Sequence, residues 1–143
     1  MKFCIQVLLA ALLSIVSSTQ AACLLTAEKY VDVDIQVRSE TVKGMKERLN
    51  LLQESANVDR MQKEDAKTLQ RVQSIYDLAG CTPVEHSRYG VDNDADIALY
   101  LAFSSQHQQQ IQAVQNAFDE TTLAIRQLLP ETVSLPTGVA DNE

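Results

Sequence analysis

Tryptophan is absent, histidine occurs twice, and four glycines and three prolines serve 143 residues. Many-stranded sandwiches and barrels need turn residues every ~8–12 positions, so this scarcity excludes them and points to long helices. No Asn is followed two residues later by Ser or Thr, so there is no N-glycosylation acceptor, and a bacterial envelope setting is favoured. Basic residues are also short where they would matter. From Cys23 to Val91 there are 10 Lys and Arg against 11 Asp and Glu, whereas from Asp92 onward Arg126 stands alone against eight acids. A chain without a basic stripe has nothing to neutralise phosphates, which excludes nucleic acid and disfavours anionic membrane surfaces.

Metal and cofactor signatures are missing as well. His86 and His107 are too far apart for an i, i+4 ligand pair, and no Cys-x-x-Cys-His is present. The stretch DNDADI, with Asp92, Asp94 and Asp96, opens like a calcium loop, yet Ile97 and Phe103 stand where that loop requires Gly and Glu. Carboxylates that cap a helix and face its positive end explain the three acids, so neither metal nor cofactor is expected. Cys81, Glu85 and His86 can be drawn as nucleophile, orienting acid and base, but a bridged Cys81 has no thiolate to offer, and no enzyme is expected.

What is present begins with an export signal. Residues 1–22 carry Lys2, an apolar run from Val7 to Val16 and a small, polar end, the layout of a signal peptide. The run is about half of the roughly 20 residues that span a bilayer. Cleavage after Ala21 or Ala22 leaves a chain of net charge −8, since Lys2 departs from a total of −7. Cys23 then admits two readings. Ala21, Ala22 and Cys23 match the end of a bacterial lipobox, while Gln20 stands where that motif takes an aliphatic. Alternatively, the export signal removes Cys4 and leaves Cys23 and Cys81 as the two halves of one disulfide, the leading reading in an oxidising compartment. A periplasmic or secreted location follows, with membrane attachment only if Cys23 is lipidated.

Residues 23–129 read as one all-α domain. VDVDIQV alternates like a strand, but Val31, Ile35, Arg38, Val42, Met45, Leu49, Leu52 and Ala56 continue it at helical steps, and no partner strand is available. Asn57 is read as a left-handed stop, with Asp59 and Gln62 starting a second helix whose face is Leu69, Val72, Ile75, Tyr76 and Ala79. Gly80 ends it and Pro83 is read as preventing its resumption, so CTPVEHSRYGV is expected as a loop. A third helix of ~35 residues should then keep Ile97, Tyr100, Ser104, His107, Ile111, Val114, Phe118, Thr121, Ile125 and Leu128 in one coiled-coil-like register. Ser104 and His107 on that register should align helices or line a shallow pocket. Ile111, Val114, Phe118 and Ile125 should be buried, and residues 130–143, with two prolines and no period, should be a disordered tail.

These readings combine as an up-down-up antiparallel three-helix bundle with a long third helix. An unbroken first helix would overhang the second by ~15 Å at the Cys23 end, so residues 23–30 must fold back or the hairpin must turn early. The expected function is an exported, non-enzymatic protein-binding or adaptor protein that docks helix on helix. Its partner surface would be the amide-rich and acidic face of Gln108, Gln109, Gln112, Asp119 and Glu120. The alternatives are a tethered scaffolding lipoprotein, or an inhibitor or immunity protein whose carboxylates block a basic partner.

Overall fold

The computed structural model describes residues 23–129; the signal-like segment 1–22 and the tail 130–143 lie outside the described residues. Among the described residues the chain is all-helical, with five helices where three are expected: α1 (Ala27–Gln53), α2 (Val58–Ala79), α3 (Pro83–Asp92), α4 (Asp94–Phe103) and α5 (Ser105–Leu128).

VDVDIQV is helical, and the structure explains its strand-like alternation. Val31 and Val33 are both buried, although residues two apart on a helix point ~200° away from each other. A helix can bury both only if it is covered on opposite sides. α1 is so covered: α2 packs along one flank and α5 along another, while α2 and α5 are not in extended contact with each other. Val33, Gly44 and Leu51, buried but missing from the single stripe read in the sequence, belong to this second apolar face.

α1 and α2 lie antiparallel. At one end Lys29 Nζ donates to the Ala79 carbonyl (3.0 Å), and further along Arg48 pairs with Asp65. Between these, Arg71 of α2 reaches both Glu40 and Glu47 of α1, at 2.8 Å each. These bonds hold the Arg71 guanidinium above its ordinary pKa. The helices approach closely where Gly44 faces Thr68; a Cβ on Gly44 would overlap the Thr68 side chain. Leu69, expected on the packed face, is 71% exposed because Thr68 takes the inward position opposite Gly44.

The turn differs from expectation in detail. Ser55 adopts the left-handed conformation (φ 54°). Asn57 starts α2 rather than ending α1, its side chain accepting from the Arg60 amide at 2.9 Å. Gly80 ends α2 in the left-handed region (φ 71°), with the Cys81 amide donating back to the Tyr76 carbonyl. The predicted overhang is resolved by α1 beginning only at Ala27, with Thr26 as its cap. Lys29 is thereby level with Ala79, and four non-helical residues carry Cys23 to disulfide distance from Cys81, with Cα atoms 4.7 Å apart.

Two further expectations are corrected. The segment read as a loop is α3, because Pro83 sits at its first turn, where a missing amide costs nothing. Thr82 and Glu85 form a reciprocal capping box: the Glu85 amide donates to Thr82 Oγ1 and the Thr82 amide to the Glu85 carboxylate. The long third helix is broken at Ser104 (φ −114°, ψ 81°), which separates α4 from α5. Only one residue leaves helical geometry, so the apolar register passes through the break unchanged.

Candidate functional site

Two clusters and one bare face account for the chemistry-bearing residues. The first cluster lies beside the Cys23–Cys81 pair. His86 is buried, stacked on Tyr30 with ring centroids 4.3 Å apart and edge-on to Tyr76 at 5.5 Å. Its Nε2 lies 3.2 Å from the Tyr30 carbonyl oxygen, which fixes the proton on that nitrogen as donor. Burial raises the pKa of Tyr30 and Tyr76, and the Asp34 carboxylate adds to it. Gly90 completes the packing, since a Cβ there would overlap the Tyr30 hydroxyl. Cys81, Glu85 and His86 are thus in three different arrangements: a sulfur pair, a helix cap and an aromatic stack.

The second cluster spans the break. His107 Nδ1 accepts from Ser104 Oγ (2.7 Å) and from the Tyr100 hydroxyl (2.9 Å), leaving Nε2–H to donate to Asp32 Oδ1 of α1 (2.9 Å). Gln108 Nε2 donates to the Leu101 carbonyl, which also accepts from the Ser104 amide at the end of α4. The set has the members of a Ser–His–Asp relay with the ring nitrogens exchanged. The His107 Nδ1 is shared between the Tyr100 and Ser104 hydroxyls. The Asp32 side chain is 50% exposed, so solvent screens its charge. These bonds link α4, α5 and α1 across the break.

The bare face belongs to α4. Eight of its ten residues, DADIALYLAF, are apolar, yet none is buried. Ile97, Tyr100 and Leu101 are half-buried towards α1 and α5, while Leu99 is 60% and Phe103 86% exposed. Asp96, Leu99, Tyr100 and Phe103, at spacings of three, four and seven, line one shallow cavity of about 550 Å³ together with Ser104. Apart from the register residues, the sequence singles out Asp96 and Phe103 of this face only in the calcium-loop comparison, and Leu99 not at all. The signal was there: a helix apolar on nearly all sides needs cover on all sides, and a chain of this size supplies it only for α1.

The predicted partner residues Gln108, Gln109, Gln112, Asp119 and Glu120 are all exposed on α5. Local bonds occupy several: Gln112 donates to Asn116, and Asp119 accepts from Gln115. On the opposite side of α5 the expected core is thinner than the register implies. Ile111, Val114 and Ile125 are half-buried, Thr121 is the one buried residue, and Phe118 is 40% exposed. The cause is that α1 is the one long helix packed along α5, with a cavity of about 180 Å³ left between Val42, Val114 and Phe118. Asp92, Asp94 and Asp96 sit at the α3–α4 junction, and no group of three or more potential metal ligands occurs among the described residues. No helix of the described residues is long and apolar enough to cross a membrane. Searches for similar proteins found no matching family model, no matching curated protein and no matching solved structure.

Proposed function

We propose that this is an exported protein-binding or adaptor protein that works by docking a partner on α4 and the adjoining outer face of α5, not by catalysis. The observation that carries the reading is the exposure of Leu99 and Phe103 on the most apolar helix of the chain. Burying one such side chain stabilises by about 1.5–3 kcal/mol, so a partner covering both gains a substantial part of a micromolar binding energy. The placement of Cys23 supports export without a lipid anchor, because a sulfur paired with Cys81 is not free to carry an acyl-glycerol. The up-down-up order of α1, α2 and α5 belongs to the same reading: it puts α4 at the crossover between the second and third long helices.

Site-specific photocrosslinking tests it. A benzoylphenylalanine at position 103 should yield an adduct with one defined protein from the envelope, and the same probe at exposed Ala66 on α2 should not. Adducts from position 66 and none from position 103 would place the working surface on α2 and overturn the proposal.

A further inference from the structure

The Lys and Arg ion pairs divide by region. On α1, its C-cap and α2, Asp34, Glu40, Glu47, Glu54, Glu64 and Asp65 each have a Lys or Arg partner, while Glu28, Asp32, Asp59 and Asp77 have none but lie on helices that carry bases. From Asp92 to Ile125 there are five carboxylates and no Lys or Arg. None of the five pairs with a cation of the described residues. Attraction to the positive end of α4 accounts for acids in its first turn; it does not account for the missing bases beyond that turn. Asp96 shares its cavity with Leu99 and Phe103, so charge and apolar surface lie on one face.

We propose that this face of α4 receives a cationic amphipathic helix, one with an apolar stripe flanked by Lys or Arg. The inference rests on the docking reading and adds the chemistry of the partner. A helix uses its backbone amides and carbonyls internally, so α4 offers a partner only side chains, and another helix presents matching apolar side chains at the same three- and four-residue steps. The unpaired carboxylates then select for base and steer the encounter. A second copy of this chain would set acid against acid, and an anionic lipid surface would be repelled.

The experiment titrates the full exported protein with a fluorescent Leu/Lys amphipathic peptide about 18 residues long, enough to hold a helix, and with its Leu/Glu counterpart. The Leu/Lys peptide should bind at least about tenfold more tightly than Leu/Glu. Raising ionic strength from about 0.01 to 0.15 M, which shortens the screening length from ~30 to ~8 Å, should narrow that gap. D92N/D94N/D96N should remove most of the preference, and L99S/F103S should abolish binding of both while circular dichroism shows unchanged helix. Equal binding of the two peptides, lost in L99S/F103S, overturns the cationic partner and leaves the docking face standing. Leu/Lys binding that survives L99S/F103S overturns both. No binding of either peptide, or dimerisation of the free protein abolished by F103S, overturns the cationic-helix partner.

Discussion

The α1–α2 hairpin with α3 and the α4–α5 arm put their apolar residues to different use. In the first region, Cys23 and Cys81 stand at bonding distance, His86 is packed among tyrosines, and Arg71 spans two carboxylates. In the second, the most apolar helix is uncovered and the acids have no cationic partners. The difference shows that burial in a small domain is set by how many neighbours a helix has, not by its own hydrophobicity. α1 has cover on two flanks and holds most of the buried residues; α4 has more apolar density and holds none.

Removing the cross-link should disturb this contrast most. Closing a loop of 58 residues stabilises by about 4 kcal/mol in the chain-entropy model. C23S/C81S or reduction should therefore lower the melting temperature strongly and leave helical circular dichroism in place. Intact mass should show two hydrogens fewer in the native protein than in the reduced one. An unchanged melting temperature would mean that the first region owes nothing to the bridge. Next in size is Gly44→Ala. Helix propensity alone would favour Ala by about 1 kcal/mol, but the overlap with Thr68 should make it net destabilising by about 1–3 kcal/mol. Thr68→Ala in the same chain should restore part of the loss, a coupling that denaturant melts of the double-mutant cycle would measure.

Phe118→Ala probes the other arm. A fully buried Phe lost to Ala costs about 3–5 kcal/mol. With 40% of the residue exposed, chemical denaturation should return roughly 1–2 kcal/mol. A cost in the full range would show that α5 has cover not seen here. The smallest effect concerns acid. Thr82 holds the Glu85 carboxylate below the usual range, through its backbone amide first and its hydroxyl second, and Lys67 does the same for Glu64. A depressed folded pKa stabilises above the unfolded value of about 4.3, and that contribution is lost as pH falls through the folded value. Melting temperatures recorded from neutral pH down to strong acid should fall on that limb, and Glu85→Gln should make the fall shallower.

Which parts were legible in the sequence follows from which signals are local. Gly80 and Pro83 marked the end of α2 correctly, because the left-handed stop is a property of one residue. The same Pro83 was misread as a barrier, although Thr82 and Glu85, three apart, carried the start of α3. Periodicity found the α5 register but could not see the break at Ser104, since a single non-helical residue leaves the phase intact. It also gave α1 one face where there are two, because only tertiary neighbours say how many sides a helix must cover. The exposure of Leu99 and Phe103 is illegible for the same reason: it is decided by what is missing around α4, not by its own residues.

Amide hydrogen exchange on the free protein, resolved by helix, tests most directly the claim that α4 is uncovered while α1 is enclosed. Helix α1 should exchange slowest, close to the global opening limit, and α4 fastest of the five helices. Equal protection of α1 and α4 in the free protein would contradict the account.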